Sequence, residues 1–175
     1  MSRLPIIIAP DPRLKIVCRP VERVDAEVRR LMDDLLETMY AAPGIGLSAP
    51  QVGDDRRILV VDLSRKDEEP QPHQMANPKI IATATELETY EEGCLSFPEY
   101  FADIERPAWV DVRYLDSRNE IQTLRAEGML STCIQHEIDH LDGILFVDHI
   151  SALRRGMILR KLQKAKRQKA KQAAA

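Results

Sequence analysis

His136, Glu137 and His140 form an H-E-x-x-H run inside Cys133-Ile134-Gln135-His136-Glu137-Ile138-Asp139-His140-Leu141-Asp142-Gly143. On a helix, residues four apart lie one turn apart on the same face. Two imidazoles placed that way can grip one metal ion, and Glu137 beside the first can handle a proton on metal-bound water. The neighbours predict such a helix: Leu130, Ile134, Ile138 and Leu141 form an apolar face, and Gly143 is a stop signal. A solvated polar face is the bland alternative. The rest of this helix is apolar, however, and is expected to be buried.

A catalytic site of this type takes three protein ligands and leaves one place for water. Downstream of His140 the chain offers little. A continuation H-x-x-G-x-x-H would need histidine where Phe146 stands, no Asp or Glu follows Asp148, and His149 falls at neither family spacing. The third ligand is therefore expected upstream, where Cys94 lies in Glu91-Glu92-Gly93-Cys94-Leu95-Ser96. A thiolate with two imidazoles is a known catalytic ligand set. A cation so held brings the pKa of its water to about 7 and supplies hydroxide near neutral pH.

A third stretch, Gly44-Ile45-Gly46-Leu47-Ser48-Ala49-Pro50-Gln51, is glycine-rich. It fails as a dinucleotide loop, because the third glycine is displaced and neither a strand nor a helix flanks it. It is expected to be a loop that lets a substrate backbone approach closely.

Together and in this order, the three stretches resemble the motifs of peptide deformylases, and the resemblance spans essentially the whole chain. It implies removal of the N-formyl group from formyl-methionyl peptides, with formate as product. Glu137 would act as general acid and base, and the Gln51 side chain with the backbone N–H of Leu95 would donate to the oxyanion. It also implies that a peptide pairs with Ile45 and Gly46 in strand fashion. The family generally works with ferrous iron and tolerates zinc, nickel or cobalt, so Fe(2+) is the expected ion. Ser48 departs from the alanine more usual there and is expected to be harmless. Tyr90 replaces a smaller aliphatic residue and is expected to alter the pocket rim.

Helical spacing puts Thr132 and Cys133 on the metal-facing side, one turn before His136. Cys133 as a fourth ligand would close the site, so it is expected to line the pocket for methionine, with Ile45, Tyr90 and Met129. Cys18 is expected to be a small apolar residue.

The three cysteines form no C-x-x-C pair, which fits a reducing cytoplasm. The N-terminal apolar run Ile6-Ile7-Ile8 is too short for a membrane span. Of the 25 basic residues, nine lie in 151–175 with none of the 28 acids, so the remainder carries −12. An acidic body with a basic end suggests a polyanionic partner, and the ribosome is the expected one; neither DNA nor a membrane is.

The chain is expected to form one catalytic domain over 1–150, with a basic helix or tail over 151–175. Apolar spacing predicts a helix over 26–41 capped by Asp25, and strands over 57–63, 79–85, 109–115 and 121–126, the last two as a hairpin. Leu87 to Ser96 should be extended and deliver Cys94. His73 should lie in an exposed loop, and the final helix should fray at its lysine-rich end. The expected class is α+β: mixed or antiparallel strands surrounding a central metal-binding helix, flanked by N-terminal and C-terminal helices. Two rivals remain at this level, a zinc endopeptidase and a ribosome-binding module with a structural metal.

Overall fold

In the computed structural model of the chain, residues 2–174 are described. Among these residues there are three α-helices, α1 (Ala26–Ala41), α2 (Gly128–Leu141) and α3 (Ala152–Ala173). The strands are β1 (Gly46–Ser48), β2 (Ile58–Val61), β3 (His73–Thr83), β4 (Leu87–Cys94), β5 (Phe97–Pro107), β6 (Trp109–Leu115) and β7 (Ile121–Glu127). Five strands form one sheet in the order β1-β2-β3-β6-β7, and β4 with β5 forms a separate two-stranded ribbon. Every pairing of these strands is antiparallel. The architecture is the α+β one expected.

The sheet is covered on both faces. In β2, Ile58 and Val60 pack with α1, while Leu59 and Val61 pack with α2. This is why a strand of four buried aliphatic residues shows no polar alternation. Asp25 caps α1 by accepting from the N–H groups of Glu27 and Val28. A third core joins the N-terminal segment, the ribbon and α3 through Ile7, Phe97, Ile104, Phe146, Ile158 and Leu162.

α2 lies almost wholly inside, with ten of its fourteen residues buried. Gly128 opens it at φ +57, which lets β7 turn straight into the helix. Gly143 closes it at φ +73, and a Cβ there would come within 2.5 Å of the Lys15 carbonyl oxygen.

Four local expectations differ from the structure. β3 begins at His73, which is half-buried in a strand and not in an exposed loop. A register shift at Asn77-Pro78, with Asn77 at φ +52, carries the strand across the proline. β5 was not anticipated at all. The segment after Gly44 is the short strand β1 followed by a 3₁₀ turn, Ala49–Val52, and α3 stays helical to Ala173 without fraying.

Candidate active site and metal centre

Cys94, His136 and His140 each offer one ligand atom, and these atoms lie within 4.8 Å of one another. Cys94 ends β4, just before the two-residue turn Leu95-Ser96 that leads into β5. Its Sγ lies 3.2 Å from His140 Nε2. The two imidazoles are one turn apart on α2, with ring centroids separated by 5.0 Å. Cys133 is not part of this donor group.

A second layer fixes the first. His136 Nδ1 meets Glu92 Oε2 at 2.8 Å, which leaves Nε2 as the ring nitrogen that could bind a metal. Arg106 donates to both Glu92 oxygens, at 2.5 and 3.0 Å, and to Asp139 at 2.8 Å. Arg106 is only 5% exposed, so this is a buried ion network. Its carboxylate at Asp139 also meets His149 Nε2 at 2.8 Å, so His149 serves the support and stands outside the ligand group. Burial opposes charge on Glu92, but the contacts with His136 and Arg106 outweigh it and hold the carboxyl at about 2.

The two imidazoles are driven apart. Burial disfavours a charged His136, yet Cys94 and Glu92 outweigh that and raise it. Burial, followed by the charge of His136, keeps His140 well down and neutral. One divalent cation of borderline softness fits this buried S/N/N set.

Glu137 lies on the same helix, buried. Burial raises its carboxyl above the ordinary range, although His136 and the Ser48 hydroxyl pull it down. Ser48 Oγ donates to Glu137 Oε2 at 2.5 Å. The serine expected to be harmless therefore touches the acid–base candidate. Gln51 sits in the 3₁₀ turn after β1. Its Oε1 accepts from Ser48 N at 2.9 Å, and its Nε2 donates to Ser96 Oγ at 3.1 Å and to Cys94 Sγ at 3.5 Å. The N-terminal segment clamps both loops from behind: Ile7 N donates to the Gln51 carbonyl oxygen and Ala9 N to that of Ser96.

A cavity of about 380 Å³ opens beside these groups. Gln51, Cys94, Leu95, His136 and Glu137 line it, as do Ile45, Gly46, Met129, Thr132 and Cys133. A Cβ at Gly46 would press on Glu137 Oε1 and stand 2.9 Å from Cys133 Sγ, so any larger residue there would displace the Glu137 carboxylate. Burial pushes the Cys133 thiol well up, which keeps it a neutral wall. Tyr90 corrects the sequence expectation. It is not among the lining residues, and its hydroxyl turns to Glu88 at 3.2 Å. The cavity takes the end of β4, Glu91 to Cys94, and the rim falls to Phe101, which lies across from Gly93. Phe101 and Arg106 went unforeseen. The run Ala102-x-Ile104-x-Arg106 carried the signal for the arginine, an inward-facing position on an alternating strand.

The family model for polypeptide deformylases matches residues 3–156. The chain belongs to the polypeptide deformylase family. A peptide deformylase of Mesorhizobium japonicum is 55% identical over 166 residues, covering 95% of this chain and 94% of that protein. The crystal structure of the Ehrlichia chaffeensis enzyme in complex with actinonin superimposes with a TM-score of 0.91 at 42% identity, covering 95% of this chain and 99% of that one. A class I type b peptide deformylase of Acinetobacter baumannii, bound to Met-Ala-Ser, gives a TM-score of 0.80 at 34% identity, covering 86% of this chain and 100% of that one. Polypeptide deformylases are metal-dependent. This deformylase is a hydrolase acting on formyl-methionyl peptides, and it removes the N-formyl group from nascent chains. No helix among the described residues is long and apolar enough to cross a membrane.

Proposed function

We propose that Cys94, His136 and His140 hold a single divalent cation, with ferrous iron the native ion and zinc, nickel or cobalt able to replace it. When bound, such a cation supplies Lewis acidity and activates water near neutral pH. Glu137 takes the proton from the attacking water and returns it to the departing amine. Gln51 Nε2 and the backbone N–H of Leu95 donate to the carbonyl oxygen as it gains charge. Formate and a free amino terminus leave.

β1 is an edge strand of the sheet, so its outer side can accept another strand. The peptide backbone pairs there along Ile45 and Gly46. The methionine side chain enters the cavity against Met129, Thr132 and Cys133, and Phe101 replaces Tyr90 as the rim residue. The Met-Ala-Ser bound to a relative supports this placement.

The observation that carries the reading is the convergence of three donor atoms within 4.8 Å beside Glu137 and Gln51, at the wall of one cavity. Formate release from formyl-Met-Ala-Ser, with metal content measured on anaerobically prepared protein, tests it. The wild type should turn over with one metal per chain, and Cys94→Ser should lose both. Full turnover by Cys94→Ser would remove the proposed ligand set.

Residues 1–150 form the catalytic domain in this reading, and 151–175 form a basic appendage. Its nine cations, unmatched by any acid in that segment, suit ribosomal RNA near the emerging chain. The enzyme then works in the cytoplasm, where formylated chains emerge, without binding DNA or a membrane.

A further inference from the structure

Ser48 ends β1 and is fully buried. Its hydroxyl lies 2.5 Å from Glu137 Oε2 and 3.0 Å from the Glu137 carbonyl oxygen. A hydroxyl has one proton to give, and the carboxylate is the nearer and stronger acceptor. The N–H of the same residue donates to Gln51 Oε1 at 2.9 Å. That bond turns the amide so that its NH₂ end faces Cys94 and Ser96. A single buried residue therefore holds both a carboxylate and an amide at the cavity wall.

The two carboxylate oxygens of Glu137 are not equivalent. Oε2 is tied to Ser48, while Oε1 lies beside Gly46 and Cys133, both of which line the cavity. The last torsion of a glutamate is broad and roughly two-fold, so an untethered carboxylate does not keep one oxygen forward. A donor on one oxygen removes that freedom.

We propose that Ser48 is a positioning residue for deformylation: its hydroxyl pins Glu137 Oε2 and leaves Oε1 as the oxygen that carries the proton. The proposal rests on the reading of Glu137 as the proton carrier. The bond from the Ser48 backbone N–H to Gln51 Oε1 does not involve the hydroxyl, so Ser48→Ala removes the tether to Glu137 and keeps the hold on Gln51.

The test uses metal-loaded enzyme and formyl-Met-Ala-Ser. Ser48→Ala should lower kcat about five-fold, with KM and metal content within about 1.5-fold of wild type. Ser48→Cys, with similar volume and a weak donor, should lose nearly as much. In a Glu137→Asp background the shorter carboxylate is out of reach of the hydroxyl, and the further loss from Ser48→Ala should shrink to less than about 1.5-fold. An unchanged kcat in Ser48→Ala overturns the proposal. So does a loss of equal size in both backgrounds, or one that tracks loss of metal. Glu137→Asp with full turnover overturns the underlying role of Glu137 as well, which separates the two failures.

Discussion

α2 and α3 both carry many polar residues, but the fold treats them in opposite ways. α2 sinks ten of its fourteen residues, including His136, Glu137 and His140. α3 buries only Ile158 and Leu162 along 22 residues. Its cations remain in water, where they need no partners. The polar groups of α2 cannot do that, since a buried charge without a partner is costly. Arg106 and Glu92 reach them from the ribbon, and Asp139 completes the network on the helix itself. A buried helix of this kind therefore needs a second element dedicated to its polar groups. A solvated helix needs only a narrow apolar seam.

The sharpest way to break this contrast is to remove Arg106. Arg106→Leu leaves Glu92 and Asp139 short of their shared cation. It should destabilise the fold by about 3–5 kcal/mol and weaken metal binding by about 10–100-fold. Urea unfolding and metal titration report the two. Arg155→Leu on α3, which breaks a pair with side chains 40% and 23% exposed, should cost less than about 1 kcal/mol. Equal losses from the two variants would erase the distinction between the helices.

Gln51→Ala addresses the site without touching α2. Removing the proposed oxyanion donor should raise the barrier by about 2–4 kcal/mol, read as kcat on a formylated tripeptide. Stability should fall as well, by about 1–3 kcal/mol, because the buried Ser48 N–H loses its acceptor, so kcat is read on protein shown by urea unfolding to be folded.

Acid probes the network more gently. Glu92 is held at about 2 in the fold, against an ordinary 4.5, so its charged form stabilises the protein above pH 4.5. That contribution, at most about 3 kcal/mol, is lost as pH falls from there toward 2. The stability of Glu92→Gln should be flatter across this window than that of wild type. A matching acid slope in the variant would assign it to other carboxylates.

The contrast also explains what could be read in advance. The H-E-x-x-H spacing is local, so α2 and its two imidazoles were legible from a dozen residues. α1 was legible for the same reason, from Ala26 to Ala41. Cys94 followed from the lack of any ligand downstream. β5 stayed hidden because Pro98 interrupts it and its inward row reads Ala102, Ile104, Arg106, with a charge where an apolar residue would signal a strand. The tie between Ser48 and Glu137 joins residues 89 apart, and no pattern along the chain shows it. Tyr90 was misplaced because a single sequence does not reveal how far along the ribbon the cavity reaches: Glu91 to Cys94 line it and Tyr90 does not.

The smallest effect should come from shortening α3 after Gln163. The cut falls beyond Leu162, the last buried residue of the helix, and spares the bond from Arg154 to the Phe101 carbonyl oxygen at the cavity rim. Lys164, Lys166, Arg167, Lys169 and Lys171 are removed, all of them exposed. Lys166 gives up a 3.5 Å contact with the Pro10 carbonyl oxygen and its charge near Asp11. Turnover of a free formylated tripeptide should stay within about twofold, since surface changes away from buried features cost within about 0.5 kcal/mol. Co-sedimentation with ribosomes should fall and lose most of its salt dependence, because fewer phosphate contacts give a shallower slope. A tripeptide rate that collapses with the cut would tie α3 to the site and end the contrast. An unchanged, salt-sensitive association with ribosomes would place the docking surface elsewhere on the protein.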